Sequence, residues 1–391
     1  MSRPVVFTLF FAAVFLQAGT YGLTFMLPKL FEAFDANEKD VGLMLSITTI
    51  STLISVYFSG HLSDRLGRVT TLGFACLTIA ASLLLYGLAQ SVGTILILAS
   101  IFLGAGWGIT YSLAPVALTK LVSSAERVRY FTMLSIFVMA GFGLSPVMAA
   151  IMFDFGFSIA DAFFVTAALC TVSGVIFFTL VTPMRTHALI AGAEQKSSLT
   201  ITSVVQVFKS PAVIPVAMVC FGASVFAGMN NFQTVFAEDR GLNYSNYFLV
   251  YTMTVVVFRV LLARFTGGNS PYRTIAFLQY IMAGSIILFM FSGTSQTLYM
   301  LVALLFALGY GVSYPILVAM AANDADEDLV PQTLQLFALT YFIGIFGFPL
   351  IAGWFIVEIG TTPLLALVAI LAVIEASLAA KRAFQNSKSD A

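Results

Sequence analysis

Nine residues, Gly60-His61-Leu62-Ser63-Asp64-Arg65-Leu66-Gly67-Arg68, set one carboxylate and two guanidinium groups between two long apolar runs. Asp64 is an anion suited to the positive N-terminal end of a neighbouring helix. Arg65 and Arg68 are suited to carboxylates on the same side of the chain. That chemistry is reversible ion pairing, not bond making. Groups for bond making are sparse. The only two histidines, His61 and His187, sit in polar connections, no His-Glu-x-x-His or Gly-x-x-x-x-Gly-Lys stretch occurs, and no nucleophile has an evident base. The three cysteines (Cys76, Cys170, Cys220) lie far apart inside apolar runs and read as free, buried small hydrophobes without metal-ligand spacing. Neither an enzyme nor a protein with a cofactor or metal is expected.

A second set of residues has the chemistry of a binding site. Gln17, Tyr21 and Phe25 fall on one helical face at i, i+4 and i+8; Trp107 with Tyr111 and Tyr310 with Tyr314 do so at i and i+4. Asn230 and Asn231 add two amides, which are costly against hydrocarbon and should face protein or a wet cavity. Helix–helix packing with a few hydrogen bonds is the competing explanation. Arg259 is the only basic residue clearly within an apolar run. An intramembrane charge costs roughly 2.5–3.5 kcal/mol on insertion scales, which makes it a functional candidate. Two roles stand open for it: a partner for an anionic substrate or a coupling carboxylate, or a side chain that snorkels to the nearby membrane surface. Glu375 is expected to snorkel. Asp35, Asp40, Asp154, Asp161, Glu238, Asp239 and Glu358 fall at the outer ends of apolar runs and read as solvated loop charges.

These residues must be positioned by helices in lipid. The 391-residue chain is 60% hydrophobic and 9% charged, where a soluble domain carries about 25% charged residues. Its formal net charge of zero leaves no basic face for nucleic acid. A span needs about 20 apolar residues, and twelve runs qualify, near 5–27, 41–60, 70–89, 94–118, 130–152, 160–182, 211–236, 246–266, 272–293, 295–321, 331–356 and 362–380. Met1-Ser2-Arg3-Pro4 leads straight into the first, which reads as a span and not a signal peptide. The predicted organisation is a six-helix bundle over 1–182, a polar linker over 183–210 and a second six-helix bundle with a short tail over 211–391. Fourteen of the 18 Lys and Arg residues fall in segments on the side of both termini, three (Lys29, Lys39, Arg240) fall on the other, and Arg259 lies within a span. The positive-inside rule then makes both termini cytoplasmic. The acidic run Asp324, Asp326, Glu327 and Asp328 breaks that trend.

The halves repeat. Gly106-Trp107-Gly108-Ile109-Thr110-Tyr111 matches Gly309-Tyr310-Gly311-Val312-Ser313-Tyr314 at an offset of 203 residues, and Phe142-Gly143-Leu144-Ser145-Pro146 echoes Phe346-Gly347-Phe348-Pro349. Two six-helix halves about an axis along the membrane normal fit this pattern. With the Gly60–Arg68 segment, the chain resembles the major facilitator superfamily, whose signature joins the second and third spans. The resemblance implies an all-α polytopic membrane protein of twelve helices in two pseudo-symmetric bundles, in a bacterial inner membrane. It implies a secondary transporter working by alternating access, a cavity lined by spans 1, 4, 7 and 10, and a monomer whose partners are a small-molecule substrate, the lipid bilayer and protons. Export by proton antiport of a drug-like metabolite or a chelator such as a siderophore is favoured. Uptake by symport is the alternative, and a non-transporting receptor a third. In the family the signature latches the cytoplasmic side when the carrier faces outward. Here Gly60 would let a neighbouring helix approach, Gly67 closes the motif, and Arg65 and Arg68 would meet Asp324, Asp326, Glu327 or Asp328. The second half has Gly267 at the aspartate position. Exporters of the family carry an arginine in span 4 where this chain has Ser100. The Trp107/Tyr111 and Tyr310/Tyr314 pairs are expected to face each other across a central cavity.

Overall fold

Twelve helices long and apolar enough to cross a membrane form the protein in a computed structural model. It describes all residues except 120, 123, 188–199, 263, 264, 266, 327, 328, 390 and 391, together with the side chains of 119, 124–128, 201, 331 and 387–389. They are α1 (Arg3–Thr24), α2 (Glu38–Leu66), α3 (Arg68–Leu88), α4 (Thr94–Leu118), α5 (Arg129–Asp154), α6 (Ile159–Thr186), α7 (Val213–Asn231), α8 (Tyr244–Leu261), α9 (Pro271–Met290), α10 (Gln296–Asn323), α11 (Gln332–Glu358) and α12 (Thr361–Asn386). No strand occurs among the described residues. In hydrocarbon every backbone N–H and C=O needs an internal partner, and a helix supplies one from its own segment.

α2 runs 29 residues, about 43 Å at 1.5 Å per residue, longer than the ~30 Å hydrocarbon layer. The Gly60–Arg68 segment is therefore not a loop: the helix continues through Leu66 and turns only at Gly67, whose φ of +86° suits glycine. At the start of α2, Asn37 Oδ1 accepts from Lys39 N at 3.0 Å and Asn37 N donates to Asp40 Oδ2 at 3.1 Å. Asp161 bonds Ser158 in the same way ahead of α6. Two acids expected to be solvated are thus helix caps.

α1 and α7 break at matching places. α1 stops at Thr24 and a short helix, Leu27–Glu32, follows; α7 stops at Asn231 and Gln233–Glu238 follows. Polar side chains turn back on the backbone at each break. Thr20 and Thr24 hydroxyls donate to Gln17 O and Tyr21 O, and Asn230 Nδ2 donates to Phe226 O; such bonds bend helices. α11 carries a wide turn at Ile343–Gly347. Pro349 lacks the N–H that would meet Ile345 O, and the turn absorbs the mismatch. Within 183–210 a helix, Ile201–Lys209, forms behind a Thr200 cap, and α8 ends at Leu261, earlier than expected.

α2 packs along α11 and α5 along α8, which joins the two sets of six helices. The two sets meet closely at the face opposite the chain ends, here the far face. A Cβ on Gly353 would strike Glu38 O, and one on Gly42 would strike Pro349 O.

Candidate substrate site and gates

The tyrosines paired by the internal repeat meet. Tyr111 on α4 and Tyr314 on α10 place their hydroxyls 3.0 Å apart. Tyr111 stacks on Tyr341 of α11 with centroids 5.6 Å apart, and Tyr314 lies 6.0 Å from Phe337. The other members diverge: Trp107 packs on Tyr21 and Phe142, and Tyr310 on Phe226. The expected open cavity between the pairs is corrected. The hydroxyls touch, and a space of about 10 Å³, bordered by Tyr310, Ser313 and Tyr314, remains beside them.

The remaining candidates divide. Gln17 donates to Thr110 Oγ1 at 3.1 Å, which ties α1 to α4. Phe25 stacks on Phe248 of α8 at 5.5 Å. Asn230 spends its amide N–H on its own helix, while its Oδ1 and both amide atoms of Asn231 have no hydrogen-bond partner. Asn231 lies close to the Tyr21 hydroxyl without good bonding geometry. Unpartnered buried polar atoms are costly, and these border the contact between the two helix sets. Tyr341 on α11 and Tyr247 and Tyr251 on α8 complete the aromatic cluster. They were not among the expected site residues, although Tyr247 and Tyr251 stand at i and i+4.

Of the two roles open to Arg259, the geometry goes against snorkelling. It is 7% exposed and reaches sideways, not toward the membrane surface. Its Nε donates to Gly311 O of α10 at 3.3 Å; its Nη1 donates to Ser135 O of α5 at 3.2 Å and to Ser135 Oγ. The guanidinium therefore bridges α8, α10 and α5 with neutral partners, and no carboxylate pairs with it among the described residues. Tyr251, Tyr310, Tyr314 and Tyr341 surround it. A buried cation without a counter-charge is a strong local attractor for an anion.

Glu375 overturns the same expectation. It is 3% exposed and points inward from α12. Its Oε1 accepts from Gln279 Nε2 of α9 at 2.6 Å, and a Cβ on Gly222 of α7 would come within 2.6 Å of it.

At the far face Lys29 pairs with Glu238 at 2.5 Å and Glu32 at 3.1 Å, and Lys39 pairs with Glu358. Burial works against the charged Lys29 amine, but the two carboxylates outweigh it and hold the amine above the usual lysine range. On the face of the chain ends, Gly60, Asp64, Arg65 and Gly67 are exposed and Arg68 is half-buried. Asp64 and Arg65 make no ion pair among the described residues. A Cβ on Gly60 would meet open space, so no helix approaches there. The expected pairing of Arg65 or Arg68 with Asp324 belongs to the opposite state, and in the one described Asp324 has other partners. Asp324 is taken by Arg382 Nη2 of α12 at 2.9 Å and accepts from the Tyr272 hydroxyl at 2.8 Å. These partners share its end of the second helix set and lie closer in the fold. Asp326 is exposed; Glu327 and Asp328 lie outside the described residues. Ser100, at the position of the exporters' arginine, bonds Tyr86 at 2.7 Å.

Comparison with known proteins agrees with this architecture. The fold matches the human organic anion transporter MFSD10 (TETRAN) with a TM-score of 0.69 at 14% identity, over 97% of this chain and all of that one. It matches the nucleoside transporter NupG with a TM-score of 0.71 at 15% identity, over 96% and 99% of the two chains. In sequence, a probable 4-methylmuconolactone transporter of Cupriavidus pinatubonensis is 28% identical over 128 residues, 33% of this chain and 29% of its own. An arabinose-proton symporter of Bacillus subtilis is 36% identical over 100 residues, 26% of this chain and 21% of its own. The chain thus aligns with under a third of the length of these curated relatives. The model of the Major Facilitator Superfamily matches residues 9–349, most of the chain, from α1 into α11. The chain belongs to the Major Facilitator Superfamily.

Proposed function

We propose that the small solute this transporter moves is an organic anion, held by Arg259 beneath the tyrosines of α4, α8, α10 and α11, and that its movement is coupled to protons. The observation that carries this is a buried guanidinium joined, among the described residues, to neutral partners alone across α5, α8 and α10. An anion placed there supplies the missing counter-charge, and Tyr111, Tyr314, Asn231, Trp107 and Tyr21 offer it polar atoms. In the state described the site is collapsed on the Tyr111–Tyr314 bond. The Lys29 and Lys39 pairs are the outer gate, and Gly60–Arg68 is the cytoplasmic gate, which engages in the opposite state. The residues 1–182 and 211–391 form the two rocking halves in a bacterial inner membrane, with both termini inside. Export of a metabolite or a chelator by antiport is one direction open to this fold, and uptake by symport is the other. The relative named a proton symporter supports symport, and Arg259 adds to that support. An anion and a proton that cross together move no net charge.

Thermal unfolding of the purified protein with a panel of small carboxylic acids, each beside its methyl ester, tests the cargo class. Carboxylates at about 100 times their Kd stabilise by about 2.7 kcal/mol; the neutral esters do not, and Arg259→Gln does not respond to either. An ester that stabilises wild type and Arg259→Gln equally would overturn the anion assignment.

A further inference from the structure

We propose that Glu375 is the proton-carrying group of this transporter, a site on α12 that holds a proton in the state closed at the far face and gives it up when that state opens. The proposal rests on the proton-coupled reading above and names its group.

The carboxyl lies inside the bundle with no cation beside it. The elements packed around it present few charges. From α9 it meets the Gln279 amide, from α7 the bare backbone of Gly222, and from α10 the side of Tyr310 and Tyr314. Cys220 is the titratable neighbour along α7, and Tyr280 on α9 is exposed and bonded to Ser377. Arg382, two turns along α12, is already paired with Asp324. Arg259 stands beyond the tyrosines, bonded to the α10 backbone at Gly311. An ionised carboxylate in that setting would be a buried charge without compensation, among the costliest arrangements in a protein.

The hydrogen bonds point to the neutral acid. Oε1 accepts from Gln279 Nε2, while Oε2 has no partner, and Gln279 Oε1 on the same amide has none either. Two orphan acceptors on a bonded acid and amide are one proton short. A proton on Oε2 turns that oxygen into a donor, and Gln279 Oε1 is the acceptor at hand. The cavity of about 10 Å³ beside the carboxyl has room for one water. It is bordered by Tyr310, Ser313 and Tyr314, so it leads toward the Tyr111–Tyr314 bond and the Arg259 cluster. Gly222 lets the carboxyl reach this place; any side chain there would displace it.

The coupling follows from signs. An anion beside Arg259 disfavours a second negative charge behind the same tyrosines, so anion binding favours protonated Glu375. Release of the anion leaves Arg259 uncompensated and favours Glu375 as carboxylate, with its proton passed to water in the cavity. No bond other than O–H is made or broken.

The test uses the full chain in lipid nanodiscs without cargo, with protons as the probe. Infrared difference spectra of wild type against Glu375→Gln should show, at neutral pH, the C=O stretch of one protonated carboxylic acid that the variant lacks, and this band should vanish on alkalinisation. In a background of Cys76→Ala, Cys170→Ala and Cys220→Ala, spin labels on Phe155→Cys and Phe291→Cys report the far face. Their distance distribution should broaden as the band is lost, should not respond over that same pH range in Glu375→Gln, and should respond again in Glu375→Asp. A band that is absent at neutral pH, or one that never titrates, overturns the proposal, as does an equal response of wild type and Glu375→Gln. Loss of the carboxylate effect in the thermal panel with a titrating band would remove the anion reading and leave Glu375 standing; the reverse pattern would remove Glu375 alone.

Discussion

Tyr111 and Tyr314 share a single hydrogen bond between the two helix sets, and each ring is also held by stacking. Tyr111→Phe and Tyr314→Phe therefore remove the bond and keep the rings. Each should cost the closed arrangement about 1 kcal/mol, a fivefold loss in its population by spin-label distances. The double variant should cost no more than either single one, because both act on the same bond; additive losses would mean that the hydroxyls act separately. Tyr111 and Tyr314 were legible in sequence because the repeat and the i, i+4 spacing coincide. Arg259 and Glu375 were legible as charges in apolar runs, but their direction was not. Whether a charged side chain snorkels or turns inward depends on the rotation of its helix and on the gaps opposite, here Gly222 and the Gly311 carbonyl.

At the scale of helices, α2 and α11 close through glycines. Gly353→Val has no room against Glu38 O, so the far ends of the two helices must part. We expect several-fold faster maleimide labelling of Phe25→Cys, whose native ring is buried against Phe248, in the Gly353→Val background. Gly284→Ala on α9 meets nothing within 4 Å and should leave labelling unchanged while gaining up to about 1 kcal/mol of helix stability. Unaltered labelling in Gly353→Val would show that α2 and α11 do not control that face. The twelve helices were legible because a run of apolar residues in lipid has little alternative to a helix. Their breaks after Thr24 and Asn231 and the wide turn at Ile343–Gly347 were not. These depend on side chains bonding their own backbone and on Pro349 lacking a donor, local events that an apolar average conceals.

For the whole molecule, the far face is held by Lys29 and Lys39 pairs while Asp64 on the opposite face makes none. Exposed pairs contribute about 0–1 kcal/mol each, yet tenfold changes in population need only about 1.4 kcal/mol. Lys39→Glu should open the far face, and adding Glu358→Lys should close it again; high salt should blunt both effects. The Lys29 contribution is complete below the usual lysine range and is lost as pH rises through the raised value, so pH raised through that value should open the same face even in Glu375→Gln. Asp64→Asn should leave the stability of the closed far face unchanged and weaken only the opposite state, raising the share of molecules closed as described here. A distance distribution identical to wild type would remove Asp64 from gating.

The far-face pairs have one further property. Both lysines come from residues 1–182, and both cross-gate acids, Glu238 and Glu358, come from residues 211–391. Charge on that face therefore discriminates between partners. A first half meeting a second half sets amine against carboxylate, whereas a first half meeting a copy of itself sets these amines against each other, which disfavours self-pairing along this seam.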